Sequence, residues 1–516
     1  MKMKTIYRSL IAVLGLAISF SACTNLDEKL YDQIDAKSFY KTTDEINSAV
    51  ADVYFRLNNV HNWLNHWQLQ ECSTDHGMCP WGDGGVYKQN QLHTLTSTHG
   101  PNHDVYVGTF QAIAAANSFL ENVKLANPEN LGVLEGEIQA LRAWCYMDLI
   151  DLYGNVPIVT AAFVDPANLP ATSKRADVFN FIETELKAAI TKLPANKDVN
   201  RQAVYPRIIT KEAAQAFLVK LYLNAEIWSG TARWQDVVTT ADLVINSGAY
   251  SIPSGYGEIW KTFAPDNNTP TNNQEIIFAL SKYAAPGWDT QMGFWANCLG
   301  LHGELNGAVR DGVSLGIDQG FWGGPSVLDE TYQIYENTDF RKGLILKGKF
   351  YDATGKELID IKPFTNTDIA TFPDSKAGLS CIKYKPQPKI PGLFSDNDMI
   401  LFRYADVLYS KAEALYRLNA GSKAAAEALI SQVYTRNFVD GKSFIINSLD
   451  DILKERSREF LWETSYRTDL VRFGKFITMR TLWHTTDDPD FRNLNPIPQS
   501  EMDSNPNLVQ NPGYTN

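Results

Sequence analysis

The chain has 516 residues, of which 44% are hydrophobic and 21% charged, and its formal net charge is −12 at pH 7. A chain of this length can bury a large core without disulfides or metal ions, and the composition excludes a disordered chain and a polytopic membrane protein. The acidic balance disfavours nucleic acid as a partner, because nucleic-acid binding depends on basic surfaces.

The N-terminus has the pattern of an export signal. A basic start precedes an apolar run over residues 10–20, which is too short to span a bilayer as a helix. Small residues then lead to Cys23, as in a bacterial lipobox. The pattern predicts a signal peptide over 1–22 and a lipidated tether over 23–40, with Cys23 acylated. The alternative is an ordinary secreted protein with a chance cysteine at this position.

Apolar residues at intervals of three and four predict helices along most of the chain. The predicted helices cover residues 44–57, 103–123, 134–153, 176–193, 210–225, 234–245, 400–418, 423–434 and 450–473. Thr210 is a suitable N-cap for the fifth of these helices. Their Ala-rich, aromatic sequences favour a mostly α-helical scaffold of tetratricopeptide-like helix pairs, although no regular repeat period persists.

Two stretches rich in Gly, Pro, Asn and Trp interrupt the helices, over residues 63–102 and 248–398. Within the second stretch, residues 275–280 and 344–350 are predicted to form short strands. Long loops in a compact domain usually have a function. We therefore expect the ligand-binding surface in these two stretches.

These patterns divide the chain at residue 247. The N-terminal helical region covers 41–247, and a C-terminal region with loop-rich insertions covers 248–516. The last segment, 495–514, is rich in Asn and Pro and is predicted to lie extended along the surface without a helix.

The cysteines give a weak signal. Cys72 and Cys79 bracket Asp75 and His76, which are residue types that bind metals. Their spacing is not that of a zinc finger, so a local disulfide or two unrelated thiols is favoured over a metal site. Cys145 lies within an apolar helical pattern and is predicted to be a small buried residue. No metal or cofactor is predicted.

Five segments resemble, in the same order, sequence blocks of one known family. They are Ala140–Ala143 with Tyr153–Pro157, residues 273–278 (NQEIIF), residues 402–414 (FRYADVLYSKAEA), residues 455–472 and residues 505–514 (NPNLVQNPGY). The family is SusD/RagB, outer-membrane lipoproteins of the nutrient-uptake systems of Bacteroidota. The resemblance runs from Cys23 to the C-terminus, with Asp406 where the family usually has Glu.

The resemblance implies a function and a location. Glycan-binding members capture nutrient at the cell surface and deliver it to a SusC-like TonB-dependent transporter, over whose mouth they sit as a lid. The same is implied here, with the chain anchored in the outer membrane through Cys23 and with Asp27 and Glu28 directing it to the exterior. No bond is made or broken in this action, so the resemblance implies a binding protein and not an enzyme.

The family segment 455–472 is predicted to be structural. On a single helix, Glu463 and Arg467 would stand four residues apart, and Asp469 and Arg472 three apart. Pairs at these spacings support a helix, and buried pairs fix one packing arrangement. This interpretation is favoured over a catalytic role.

The resemblance also implies a ligand site on the loops. A sugar ring has an apolar face that packs on Trp or Tyr, while its hydroxyls need polar partners. The candidates are Asp75, Trp81 and Tyr87 in the first loop-rich stretch and Trp288, Trp295, Arg310 and Trp322 in the second. Burial in the core is the competing interpretation for each Trp, and capping of a turn for Asp75. Trp144, Trp234 and Trp462 lie in helical patterns and are assigned to the core.

Two alternative functions stay open. One is a peptide ligand, as in the RagB-like branch of the family. The other is a surface glycoside hydrolase, which needs two carboxylates flanking the scissile bond, a requirement that 59 acidic residues easily meet. The sequence contains no metalloprotease, nucleophile-elbow or dinucleotide-binding motif.

Overall fold

The computed structural model describes residues 40–61, 64–199, 209–265, 267, 274–281, 300–317, 322–368, 377–385 and 397–514. Cys23, Trp288 and Trp295 lie outside these residues, as do Asp27 and Glu28. Within the described residues, no helix is long and apolar enough to cross a membrane.

The described residues form sixteen α-helices and eight short strands. The helices are α1 (Thr43–Val60), α2 (Leu64–Gln70), α3 (Val86–Gln91), α4 (Gly100–Ala126), α5 (Leu131–Leu152), α6 (Arg175–Lys192), α7 (Lys211–Leu223), α8 (Ala225–Ser229), α9 (Trp234–Asn246), α10 (Ile259–Thr262), α11 (Asp329–Gln333), α12 (Tyr404–Leu418), α13 (Lys423–Tyr434), α14 (Leu449–Glu459), α15 (Tyr466–Arg472) and α16 (Gln499–Ser504). The strands are β1 (Ile276–Leu280), β2 (Val309–Arg310), β3 (Val313–Ser314), β4 (Ile345–Leu346), β5 (Gly348–Tyr351), β6 (Glu357–Ile361), β7 (Ser380–Cys381) and β8 (Met399–Arg403).

The helices stack in pairs around one core, which confirms the predicted helical scaffold. Helix α1 packs on α4, α4 on α5, α5 on α6 and α6 on α7, and the stack continues through α9, α12 and α13. Residues 140–147 of α5 are buried without a break, which is more than two helical turns. Every face of α5 is therefore covered by protein, and the other helices are arranged around it.

Side-chain caps define where the helices begin. Thr42 and Glu45 form a capping box at the start of α1, with distances of 3.2 and 2.8 Å between each side chain and the other's amide nitrogen. The hydroxyl of Thr210 accepts a hydrogen bond from the amide of Ala213 at the start of α7, as predicted. Such caps satisfy amides that have no partner within the helix.

The helix predicted over 400–418 is wrong in its first residues. Met399–Arg403 is a strand, and α12 begins only at Tyr404. This strand pairs antiparallel with β1, and all five of its residues are buried. A short continuous apolar run has no period, so the sequence alone cannot assign it to a strand or a buried helix.

The single helix predicted over 450–473 is broken. Helix α14 ends at Glu459, and α15 begins at Tyr466. Between them Trp462 and Thr464 have φ values of 63° and 55°, in the left-handed region that a continuing helix cannot contain. Both residues are nevertheless buried, and so is Trp144, whereas Trp234 is partly buried against the core.

The break also changes the ion pairs predicted for this segment. The pair between Glu463 and Arg467 is wrong, because Glu463 lies between the helices and binds Arg403, with Arg403 Nε 2.7 Å from Glu463 Oε2. The pair between Asp469 and Arg472 is confirmed, at 2.7 Å.

Two predicted loops contain helices. The stretch 63–102 includes α2 and α3. The C-terminal tail, predicted to be extended, includes α16, which begins directly after Pro498, a residue whose fixed φ suits the start of a helix. Ile497 and Leu508 are buried, so the tail is packed into the scaffold and does not lie loosely on its surface.

Candidate functional site

Backbone pairing brings the two loop-rich stretches together. Met78 and Ser326 exchange two amide-to-carbonyl hydrogen bonds of 2.8 Å each, in an antiparallel bridge. Trp81 follows Met78 by three residues, and Trp322 precedes Ser326 by four residues. The two tryptophans therefore come from distant parts of the chain but lie at the same place in the fold.

Trp81, Tyr87 and Trp322 form a cluster that we call the aromatic platform. The rings of Trp81 and Trp322 lie 5.9 Å apart at 55°, and Tyr87 meets Trp81 edge-on at 6.3 Å. Tyr87 is buried, whereas Trp322 is 57% exposed. Tyr87 thus supports the cluster from below, and Trp322 presents an apolar ring face to solvent.

The backbone of Gly324 packs directly against the ring of Trp81. A Cβ atom at Gly324 would lie 2.4 Å from the Trp81 ring, which is far inside van der Waals contact. Gly324 belongs to a Gly-Gly-Pro sequence, which is typical of a turn but does not indicate a contact with Trp81. Only glycine leaves room for an indole so close to the backbone.

Neighbouring backbone also holds Trp322 in place. Trp322 and His302 form an antiparallel bridge, and the amide of Gly323 donates to the carbonyl of Leu301 at 2.9 Å. His302 in turn contacts the carbonyl of Gly378 through Nε2 at 3.1 Å. The platform is therefore fixed from several directions before any ligand arrives.

Asp75 does not line the platform. Its carboxylate accepts a hydrogen bond from the hydroxyl of Thr331, at 3.1 Å. Asp75 lines a separate cleft of about 340 Å³ with Ser457 and Tyr466. Burial raises the pKa of Tyr466 well above its ordinary value, and the nearby negative charge of the Asp75 carboxylate adds to this effect.

Arg310 lies in a second groove, of about 890 Å³, which also differs from the platform. Aromatic residues line this groove, and the sequence analysis did not single them out: Tyr256, Trp260, Tyr332, Phe340 and Tyr351. Arg310 donates from Nη1 to the carbonyl of Gly343 at 2.6 Å. Burial lowers the pKa of the Arg310 guanidinium.

Cations next to aromatic rings distinguish this groove from the platform. The ammonium groups of Lys342 and Lys347 lie 4.7 and 4.8 Å from the centre of the Tyr332 ring. Lys347 also pairs with Asp329, at 2.6 Å. The recurrence of Tyr and Lys between residues 332 and 351 is the sequence signal that could have indicated this groove.

The family segments at the C-terminal end meet in a buried ionic cluster. Arg403 binds Glu275, Glu459 and Glu463 at 2.5, 2.8 and 2.7 Å. Although burial alone would raise the pKa of Glu459, Arg403, Arg436 and Arg341 hold it well below its ordinary value. All these groups lie inside the protein, so the cluster holds the scaffold together and offers nothing to a ligand.

Cys72 and Cys79 are buried thiols. The sequence left open a local disulfide or two thiols, and the structure has two thiols. Burial raises the pKa of Cys72 well above its ordinary value, which makes it a poor metal ligand. His76 between them contacts Glu71 through Nδ1 at 2.9 Å and Ser457 through Nε2 at 2.8 Å. Both its ring nitrogens are thus occupied.

Among the described residues, the α-helical scaffold thus presents one exposed indole ring, that of Trp322, on a preformed aromatic surface made by its loops. Two family models match the chain, "SusD family" over residues 327–514 and "Starch-binding associating with outer membrane" over residues 25–223. The chain belongs to the SusD-like family. The second description associates this family with the outer membrane.

Similar proteins cover most of the chain. It is 26% identical over 491 residues to the starch-binding protein SusD of Bacteroides thetaiotaomicron, covering 87% of this chain and 85% of that protein. It is 23% identical to SusD-like protein P2 of Formosa agariphila, and the match covers 98% of this chain and 99% of that protein.

Solved structures share the fold. A SusD homologue from Bacteroides thetaiotaomicron has a TM-score of 0.75 at 20% identity, covering 93% of this chain and 98% of that one. A laminarin-binding SusD-like protein has a TM-score of 0.73 at 24% identity, covering 92% and 100%. Surface glycan-binding protein A from Bacteroides fluxus has a TM-score of 0.70 at 19% identity, covering 92% and 100%.

Proposed function

We propose that this protein captures glycan chains at the cell surface through the aromatic platform. The observation that carries the proposal is the exposed Trp322 ring held 5.9 Å from Trp81. An indole face matches the C–H face of a sugar ring, and two rings set at an angle follow the curve of a glycan chain. Capture needs no catalytic group, so the proposed action is binding without bond cleavage.

The similar proteins support the choice of ligand. Their names describe starch binding, laminarin binding and surface glycan binding. We extend the proposal to hand-over of the glycan to a SusC-like TonB-dependent transporter in the outer membrane. Trp288 and Trp295 stay proposed ligand contacts, and so do Asp75 and Arg310, although the last two line other cavities.

Anchoring through Cys23 completes the proposal. Acylation of this residue would hold the protein on the membrane, and exposure to the exterior would place the platform where glycans arrive. Labelling of cells with radioactive palmitate tests the anchor: the label should appear in the wild-type protein and disappear in Cys23→Ala. Equal labelling of both proteins would refute acylation at this residue.

Binding is tested with residues 24–516 by native affinity electrophoresis through gels that contain starch or laminarin. We expect retardation by at least one polysaccharide, and an affinity at least about tenfold lower in Trp322→Ala and Trp81→Ala, which corresponds to about 1.4 kcal/mol. Phe163→Ala is the matched control, because Phe163 is an exposed aromatic, at 76%, outside the platform.

The same samples separate the alternative functions. Release of new reducing ends during incubation would point to a glycoside hydrolase. Absence of retardation by any glycan would overturn the proposal and favour a peptide ligand. Retardation that is unchanged in both tryptophan variants would keep glycan binding but move it away from the platform.

A further inference from the structure

Two histidines and an aspartate meet inside the helical scaffold, and none of them belongs to the platform. His61 is the C-cap of α1, His66 belongs to α2, and Asp148 belongs to α5. Each offers one ligand atom, and these atoms all lie within 4.8 Å of one another. No local sequence motif indicates this cluster, because Asp148 is 87 residues away from His61.

The environment of His66 is unusual for a buried imidazole. Its side chain is 3% exposed, and neither ring nitrogen has a hydrogen-bond partner among the described residues. Buried polar atoms normally have a partner, because leaving one unsatisfied costs free energy. The His61 ring lies only 4.1 Å away, centre to centre, so two protonated rings would repel each other strongly.

We propose that His61, His66 and Asp148 form a zinc site. Nε2 of His61 is 3.0 Å from Asp148 Oδ2, and Nε2 of His66 is 3.9 Å from Asp148 Oδ1. Tetrahedral ligands at about 2.0–2.1 Å from zinc stand about 3.3 Å from one another. Both distances to the carboxylate lie within about 1 Å of that value, and the ligand atoms of all three residues lie within 4.8 Å of one another, so shifts of about 1.5 Å or less would complete the site.

The ligand set and its access favour zinc with a water molecule as the fourth ligand. Two imidazoles and one carboxylate are common zinc ligands, and zinc sites with three protein ligands keep a fourth position for water. The Asp148 side chain is 11% exposed, which gives the ion and its water a way in. Magnesium and calcium prefer sites made of oxygen ligands and do not match this set.

The charges near the cluster are compatible with a divalent ion. Asp151 is one turn from Asp148, but its carboxylate already accepts hydrogen bonds from Gln70 and Thr468, at 2.9 and 2.7 Å. It therefore adds negative charge without being a ligand. The ammonium of Lys220, 5.2 Å from the ring of Trp144, interacts electrostatically with Asp148 and offsets one of the two carboxylates.

A second cluster of two histidines and an aspartate, His93, His484 and Asp488, differs from the first in its hydrogen bonds. His93 contacts Asp488 through Nδ1 at 2.5 Å and the carbonyl of Ser73 through Nε2 at 2.7 Å. His484 uses its Nδ1 on the carbonyl of Met479. The His93 ring is fully engaged in hydrogen bonds, so this cluster is a structural network. His484 Nε2 makes no hydrogen bond but lies 2.9 Å from Asp488 Oδ2. Among the four histidines of the two clusters, His66 is the one whose two ring nitrogens both lack a hydrogen bond.

Zinc at this site would join α1, α2 and α5, and it is independent of glycan capture. The test uses residues 24–516, stripped with a chelator, incubated with zinc chloride and dialysed, with metal content measured by mass spectrometry. We expect about one zinc ion per chain and a rise in Tm with zinc but not with magnesium. Retention of less than about a tenth of an equivalent would overturn the proposal.

Variants locate the ion. His66→Gln and Asp148→Asn should each lower zinc affinity at least about tenfold, whereas His103→Gln, a partly exposed histidine, should bind like the wild type. Unchanged zinc binding in both site variants would refute the assignment. X-ray absorption of the wild-type zinc protein tests it without any variant: two imidazole ligands support the site, and none excludes it.

Discussion

At the scale of single residues, the contact between Gly324 and Trp81 makes the platform testable without touching an aromatic ring. The Cβ of Gly324→Ala would lie 2.4 Å from the Trp81 ring, so the indole must leave its present position beside Trp322. We expect glycan affinity to fall as far as in Trp81→Ala, while the circular dichroism spectrum is retained. Gly100→Ala is the control, since nothing lies within 4 Å of its Cβ position. Full affinity in Gly324→Ala would show that Trp81 does not need its observed position.

The buried carboxyl group of Glu137 should make the free energy of unfolding depend on pH. Burial raises its pKa to about 7, against the hydrogen bonds from Tyr54 and from the Ile209 amide that lower it. In the unfolded chain a glutamate has a pKa of about 4.3. The folded state therefore binds more protons between these values, and stability falls as pH rises from about 4.3 to about 7, by about 4 kcal/mol in total.

Replacement of Glu137 by Gln should remove this contribution. Chemical unfolding at pH 5 and pH 8 should show a smaller loss of stability with rising pH in Glu137→Gln than in the wild type. Glu129→Gln, at an exposed position, should behave like the wild type. An identical pH profile in Glu137→Gln would mean that Glu137 is ionised in the folded protein at both pH values.

At the scale of elements, the turn between α14 and α15 depends on buried charge. Glu459 ends α14 and contacts Arg341, Arg403 and Arg436, at 2.7, 2.8 and 2.8 Å. Removing one partner from a buried ionic cluster usually costs about 3–5 kcal/mol, because the opposite charges stay buried. We expect that loss in the unfolding free energy of Glu459→Gln, measured with denaturant.

An exposed ion pair serves as the control for the buried cluster around Glu459. Glu357 and Lys349 also lie 2.8 Å apart, but on the surface of β5 and β6, where such a pair contributes about 1 kcal/mol or less. Glu357→Gln should therefore leave stability nearly unchanged. Equal effects of the two substitutions would contradict the structural role assigned to the cluster.

The elements that the sequence predicted well are those with a clear period. Helices α4, α5, α6 and α13 begin and end within a few residues of their predicted bounds, because apolar residues recur every three to four positions in their sequences. The strand Met399–Arg403 has no such period, and its partner β1 lies far away in the chain. The break after Glu459 depends on Arg341, Arg403 and Arg436, which come from other segments.

At the scale of the whole molecule, the platform shows what residue types can and cannot predict. Trp81, Tyr87 and Trp322 were candidates because of their chemistry and their place in loop-rich stretches. Their meeting depends on backbone hydrogen bonds between Met78 and Ser326, and backbone pairing leaves no pattern in the side chains. For the same reason the sequence grouped Asp75 with Trp81, although the structure separates them.

The C-terminal tail forms hydrogen bonds with the C-terminal end of α5. The side-chain nitrogen of Asn511 donates to the carbonyl of Tyr153 at 2.8 Å and to the carbonyl of Asn495 at 2.7 Å, and the amide of Asn495 donates to the carbonyl of Leu152 at 2.7 Å. Asn511 is 2% exposed, so these carbonyls have little access to water. The tail thus supplies partners for groups that the end of a helix leaves unsatisfied.

Replacing Asn511 by Ala should therefore destabilise the whole scaffold and not only the tail. It removes two hydrogen bonds and leaves two buried carbonyls without this donor, which we expect to cost about 2–4 kcal/mol. Asn507→Ala is the matched control, because Asn507 also donates to a carbonyl, that of Leu169 at 2.7 Å, but is exposed. A lower Tm in Asn511→Ala with one cooperative transition would show that the tail and the N-terminal helices unfold together. A separate early transition, with the main Tm unchanged, would show instead that the tail detaches on its own.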